Sequence, residues 1–207
     1  QYGTPDDWWD FVAWTKNGRS VIPLSEIDNV PDLHKIPPIS SMGILSRDEG
    51  RDAAIPGIIR FVSPLQAAAY FMLGETTRTS AAGKERGKIR SPFTQPFFPR
   101  KMELQAERFQ ELLKKMPDLT IWMMNTGYVG GDDLDVKNGN ALKIKIRHSS
   151  AMLEWLLAEK IVWKIDPDFG YEIVDLEAPE NRPLIELVPP EVLNPIVYYR
   201  SRGREDE

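Results

Sequence analysis

The run Leu119-Thr120-Ile121-Trp122-Met123-Met124 lies between Pro117-Asp118 and Asn125-Thr126-Gly127. It is almost wholly apolar and has the length of one strand. Such a run, bounded by turn residues, reads as a buried strand. The segments on either side read as helices. Between Lys101 and Met116, the residues Met102, Leu104, Phe109, Leu112 and Leu113 make one apolar face opposite charged positions. From Ser149 to Lys160, Met152, Leu153, Leu156 and Leu157 do the same. A buried strand flanked by amphipathic helices predicts an α/β or mixed α+β fold.

Working outward, the same criteria predict strands at Ser20–Leu24, Met42–Ser46, Ile55–Val62 (interrupted by Gly57) and Ile161–Ile165. Leu142 to Arg147 alternates with period two and reads as a strand or an extended loop. Asp6 to Lys16 carries Trp8, Phe11, Val12 and Trp14 and predicts a short helix. Ser63-Pro64-Leu65-Gln66 is a helix start: Ser63 caps, Pro64 takes the first helical position, and Gln66 reaches back towards the cap. That helix stops at Gly74. Beyond Ile165 the chain is Pro-rich, with brief strands and one helical turn at Pro190–Leu193. The tail 200–207 is polar and expected to fray.

Composition removes much chemistry. The chain has 207 residues, a net charge of −5, no Cys and two His. Its 42% hydrophobic content is that of a globular chain, not a disordered one. The acidic balance argues against a nucleic-acid partner. Without Cys there is no disulfide, thiolate metal site or Cys nucleophile, and two His cannot build a multi-His site. No run of 18 apolar residues is present, so no membrane partner is expected. The acidic, Cys-free character suits the cytoplasm. A first residue of Gln1 is expected of a processed chain, a cut chain or a fragment.

Two segments read as loops. Glu75 to Pro99 has no periodicity and carries Arg78, Lys84, Arg86, Lys88 and Arg90, followed by Arg100. Either it is a solvated surface or it faces a phosphate or carboxylate. Asn125 to Asn140 is rich in Gly and Asp. A calcium loop starting at Asp133 would put Lys137 fifth, Asn138 sixth and Ile144 twelfth, where oxygen ligands and a glycine turn are required. Gly83-Lys84 and Gly87-Lys88 lack the Ser/Thr of a Walker A loop. His148 beside Ser149 and Ser150 is not a triad, because helical neighbours do not face one another.

Seven segments, in order, resemble the C-terminal part of ATP-dependent phosphoenolpyruvate carboxykinases. They are Arg19–Asn29, Ser63–Ala68, Phe71–Thr76, Ala82–Gly87, Phe93–Phe97, Met123–Tyr128 and Val192–Pro195. They span about residues 19–195, nearly the whole chain, and the resemblance implies that 1–207 is the C-terminal part of the family's nucleotide-binding domain. The family decarboxylates oxaloacetate and phosphorylates the resulting enolate from ATP, with Mg2+ or Mn2+. By resemblance, Arg19 matches the arginine that reaches substrate and γ-phosphate. Lys143, Ile144 and Ser149 fall on the adenine-binding stretch, with Lys143 in place of an arginine. Asn125, Thr126 and Gly127 shape the loop beneath the nucleotide. The family's phosphate loop and metal ligands lie upstream of the matched region. The resemblance therefore implies a partner portion, on the same chain or a separate subunit, that supplies them. The alternative is a non-catalytic nucleotide-binding or interaction module on the same scaffold; the departure at Phe97-Phe98-Pro99 from the family pattern keeps it open.

Overall fold

The computed structural model describes residues 22–78, 87–90, 92, 101 and 103–206. The predicted helix 6–16 therefore lies outside the described residues, as does the 97–99 departure. The chain divides into two units: residues 1–38 with 78–87, and residues 39–77 with 88–207.

In the first unit, the described residues include two single 3-10 turns, Leu24–Glu26 and Leu33–Lys35. The predicted strand Ser20–Leu24 does not form over its described part: Ile22 and Pro23 are irregular, and Leu24 opens the first turn. Pro23 precedes the turn, and its carbonyl accepts from the Glu26 N–H at 2.9 Å. Asp32 caps the second turn by accepting from the His34 N–H at 3.0 Å.

The second unit is organised around the run that decided the fold. It forms a central strand, β5 (Thr120–Asn125). Around it lie β1 (Ser41–Ser46), β2 (Ile58–Arg60), β8 (Trp163–Ile165) and β9 (Glu172–Val174) in the order β1-β5-β2-β9-β8. β1 pairs with β5 in parallel; the other pairings are antiparallel. Alternation along the strands separates two cores. Trp122 and Met124, with Ile58 and Val174, face one side. Ile121 and Met123, with Ile59 and Ile173, face the other.

Helices cover both faces. α1 (Pro64–Leu73) and α2 (Glu103–Lys114) contribute Ala67 and Leu113 to the second core. α4 (Ile146–Leu157), α5 (Arg182–Leu187) and α6 (Pro190–Leu193) supply Met152, Leu156, Leu184, Val192 and Leu193 to the first. Between α2 and α4 sit β6 (Tyr128–Val129), α3 (Asp133–Lys137) and β7 (Leu142–Lys143); α7 (Pro195–Ser201) closes the chain. This is the mixed α/β class expected.

The start of α1 forms as predicted: Ser63 Oγ accepts from the Gln66 N–H at 3.2 Å, and the helix ends at Gly74. The Gln66 side chain reaches one residue further back than expected, accepting from the Val62 N–H at 3.1 Å.

Other expectations shift. The 55–62 strand shortens to Ile58–Arg60, because the Gly57 N–H turns aside to the Val192 carbonyl at 2.7 Å. The 75–99 segment contains a two-stranded sheet, β3 (Glu75–Arg78) with β4 (Gly87–Arg90). The 125–140 segment contains α3, started by a capping box in which Asp132 accepts from Leu134 and Asp135 while Asp135 accepts from the Asp132 N–H. α2 buries Gln105 and Leu113 and leaves Leu104 and Leu112 exposed, so its inward face is rotated from the predicted one. The tail is tied back: the Arg204 N–H donates to Tyr199 at 3.0 Å, and its guanidinium reaches the carbonyls of Gly130 and Arg51.

Both Met152 and Leu157 were expected on the inner face of α4. Met152 is fully buried, while Leu157 is 63% exposed. Met152→Ala should cost about 2–5 kcal/mol in urea unfolding, and Leu157→Ala about 0.5 kcal/mol or less. Equal costs would contradict this packing.

Candidate functional site

β5 ends in Asn125-Thr126-Gly127, and the site is built on that tripeptide. Asn125 is fully buried. Its Oδ1 accepts from the N–H groups of Asp48 (3.1 Å) and Gly127 (2.8 Å). Its Nδ2 donates to the carbonyls of Ile55 (2.9 Å) and Tyr128 (3.1 Å). A carboxamide has two donors and two acceptor lone pairs, so the side chain is fully satisfied. Thr126 uses both its hydroxyl and its N–H on the Ser46 carbonyl, at 2.9 and 2.8 Å. A Cβ at Gly127 would collide with the Asp48 carbonyl, so the turn requires glycine.

Next, β6 pairs antiparallel with β7, setting Tyr128 opposite Lys143 and Val129 opposite Leu142. The Ile144 N–H donates to the Gly127 carbonyl at 2.9 Å. Ile144 itself is buried in the first core beside Met152. The sequence-predicted residues Asn125, Thr126, Gly127, Lys143 and Ile144 therefore meet in one place. Ser149 is half-buried in the first turn of α4, where its N–H donates to Lys145 at 3.2 Å. It is not the cap of that helix, which begins at Ile146. Arg19 lies outside the described residues.

Lys143 points to solvent and is held from two sides. Its ammonium sits 5.4 Å from the Tyr128 ring centroid and 3.2 Å from Asp133 Oδ1. Arg47 lies 5.2 Å from the same ring centroid and donates to the Tyr128 hydroxyl at 3.2 Å. Burial, then the Asp133 carboxylate, holds the Tyr128 hydroxyl above its ordinary pKa. Asp133 is lowered by that hydroxyl and by Lys143, and Lys143 is raised in turn, chiefly by Asp133. Arg47, Tyr128 and Asp133 were not predicted. Tyr128 ends the resemblance segment Met123–Tyr128, and that was the available signal.

Two cations of the basic segment, Lys88 and Arg90, are paired with acidic side chains. The Lys88 ammonium lies 3.1 Å from Asp48 Oδ1, 3.0 Å from Asp52 Oδ2 and 3.4 Å from Glu75 Oε1. Arg90 pairs with Glu75 at 2.5 Å. The carboxylates faced by these two cations are the protein's own. Asp48 is 2% exposed, and its Oδ2 also accepts from the Ala54 and Ile55 N–H groups at 2.9 and 3.0 Å. Burial still raises its pKa, against those two amides and Lys88. An ammonium already closes this carboxylate set, so it does not fit a divalent ion. Among the described residues there is no group of three or more His, Cys, Asp or Glu suited to a metal.

Two consequences can be measured. Asn125→Asp keeps the shape but sets carboxylate oxygen against the Ile55 and Tyr128 carbonyls. It should destabilise the fold by about 2–4 kcal/mol, and a loss under about 0.5 kcal/mol would contradict the role given to Asn125. His148 is buried, and its Nδ1 accepts from the Lys145 N–H at 3.3 Å. Burial, then the charges of Arg147 and Lys145, hold its pKa below the ordinary 6.5. Below that value the unfolded chain binds more protons than the folded one, so His148's contribution is lost as pH falls through the depressed value. His148→Gln keeps an acceptor three residues after the cap. It should flatten the stability–pH profile below about 6.5, and an unchanged profile would refute this.

The family model described as phosphoenolpyruvate carboxykinase, ATP type, matches residues 6–180. The phosphoenolpyruvate carboxykinase (ATP) of Thermus thermophilus is 32% identical over 96% of this chain and 36% of its own length. That of Aeropyrum pernix is 33% identical over 59% of this chain and 23% of its own. That of Staphylococcus aureus is 29% identical over 88% of this chain and 33% of its own. The chain thus spans about a third or less of these relatives. Tripeptide, strand pair and α4 all fall inside the matched range, and the chain belongs to the ATP-dependent phosphoenolpyruvate carboxykinase family.

Proposed function

We propose that this chain forms the adenine side of the nucleotide site in an ATP-dependent phosphoenolpyruvate carboxykinase. The complete enzyme would convert oxaloacetate and ATP to phosphoenolpyruvate, ADP and CO2, a gluconeogenic step in the cytoplasm. The observation that carries this reading is the meeting of two motif segments. Asn125–Gly127 and Lys143–Ile144 are far apart in sequence yet joined by the β6–β7 pairing and the Ile144–Gly127 hydrogen bond. Family membership supports it independently.

In this reading Asn125, Thr126 and Gly127 form the rigid floor beneath the nucleotide. Lys143 lies beside the base, the buried Ile144 anchors β7 from the core behind it, and the Ser149 hydroxyl offers the base a hydrogen bond. Loss of CO2 from oxaloacetate leaves an enolate, whose oxygen takes the γ-phosphoryl group as the bond to ADP breaks. Arg19 would neutralise charge developing on that group. Mg2+ or Mn2+ would supply further charge neutralisation, held together with the phosphate loop by residues outside this chain. An ammonium in place of a guanidinium gives up planar stacking on the base. The loop departure at Phe97-Phe98-Pro99 favours a second reading, a module that binds nucleotide without turnover.

Calorimetry on the complete natural protein tests the assignment. Lys143→Ala should weaken ATP binding by about fivefold, and Lys143→Arg should bind at least as tightly as the parent. Arg19→Ala should abolish turnover. An ATP affinity unmoved by both alanine substitutions would refute the site. Undiminished affinity with no turnover in the parent would select the second reading.

A further inference from the structure

The family match ends at residue 180, yet residues after it reach back to the loop that carries Asp133. We infer that the C-terminal segment Tyr198–Arg204 is a clasp that positions the 130–140 loop, and through Asp133 holds Lys143 in place. This rests on the nucleotide-site reading above.

The contacts are specific and converge on backbone carbonyls. The Tyr198 hydroxyl donates to the Asn140 carbonyl. Arg202 donates to the Gly139 carbonyl at 2.9 Å. The Arg204 guanidinium forks, reaching the Gly130 carbonyl at 3.3 Å and the Arg51 carbonyl at 2.9 Å. The Tyr199 hydroxyl shares its one proton between the carbonyls of Arg51 and Ala53, at 2.9 and 3.0 Å. Both ends of the 130–140 loop are therefore bonded to one short segment.

Packing reinforces these bonds. Tyr198 and Tyr199 meet edge to face at 5.5 Å, and Val129 completes their cluster. Gly130 has φ +75°, and a Cβ there would strike the Tyr198 ring. Arg202 and Arg204 lie 4.8 and 5.1 Å from the Tyr198 and Tyr199 ring centroids. Burial pushes the Tyr199 hydroxyl up to about 12, so it remains a donor at neutral pH.

The 50–53 turn closes the circuit. The Gly50 N–H donates to Gly131 at 3.0 Å, and the Gly130 N–H donates to Ala53 at 2.8 Å. Loop, turn and clasp form one hydrogen-bonded unit. Its output is α3, whose Asp133 bonds the Lys143 ammonium. Loosening the clasp frees α3 and Asp133, and Lys143 loses its fixed direction. Tyr198, Tyr199 and Arg204 are in this sense positioning residues and touch no ligand themselves.

The test uses the complete natural protein, with Arg204→Ala and Tyr198→Phe made singly and together, and Arg204→Lys as the conservative variant. Amide hydrogen exchange is read without nucleotide, and ATP affinity by calorimetry under conditions where every variant is folded. Exchange over 131–143 should speed about tenfold in the double variant, while amides 58–60 and 120–125 keep their parental rates. ATP affinity should fall about threefold, a smaller loss than in Lys143→Ala, with partial recovery in Arg204→Lys. A purely structural role would leave the affinity of the folded protein unmoved. Unchanged exchange over 131–143, or faster exchange with parental ATP affinity, overturns the clasp while the site reading stands. A parent that binds no ATP overturns the site reading and this inference with it.

Discussion

The fold of the larger unit turns on the carboxamide of Asn125. It stands at the end of the most buried strand and joins three pieces of chain that no ladder connects. These are the residue after β1–Arg47, the approach to β2, and the turn into β6. A buried amide with all four hydrogen bonds filled tolerates neither a donor too few nor an acceptor too many. The Asp48 backbone, held by Asn125, presses against Gly127. Its side chain collects two amides and the Lys88 ammonium. The tripeptide is thus fixed from beneath by polar contacts, while the two apolar cores fix the strands that carry it.

Much of this was legible in the sequence. The β5 run, the Ser63-Pro64 start of α1 and the turn of α6 follow local rules of pattern and capping. The structure agrees with them because burial and local preference point the same way there. The misreadings have physical causes. Nothing local in Arg47-Asp48-Glu49-Gly50-Arg51-Asp52 marks Asp48 as a buried carboxylate that Lys88 arrives to neutralise. The Gly- and Asp-rich segment hides a five-residue helix, because a capping box of Asp132 and Asp135 looks like any acidic loop. Leu104, Leu112 and Leu157 lie on predicted apolar faces and are exposed, because the neighbours of a helix set its rotation and periodicity does not.

The candidate site was legible by resemblance more than by chemistry. Lys143, Ile144 and the tripeptide carry no motif that spacing alone would single out. Their meeting depends on β6 and β7, two-residue strands too short to show a period. Arg47, Tyr128 and Asp133 were missed for the same reason, since each matters only through the pairing that sets Lys143 across from Tyr128. The charged groups also sort by environment. Lys88 is enclosed among three of the protein's own carboxylates, whereas Lys143 meets one, Asp133, at an exposed position beside the Tyr128 ring. The proposed division of labour follows from that contrast. This chain would supply a shaped, moderately polar floor for a base, and phosphate and metal chemistry would come from elsewhere.

Photoaffinity labelling of the complete natural protein with 8-azido-ATP, followed by peptide mapping, tests the central claim most directly. The account predicts label on the peptide spanning residues 143–149, suppressed by excess ATP. Label confined to peptides outside 125–149, suppressed by the same excess, would contradict it.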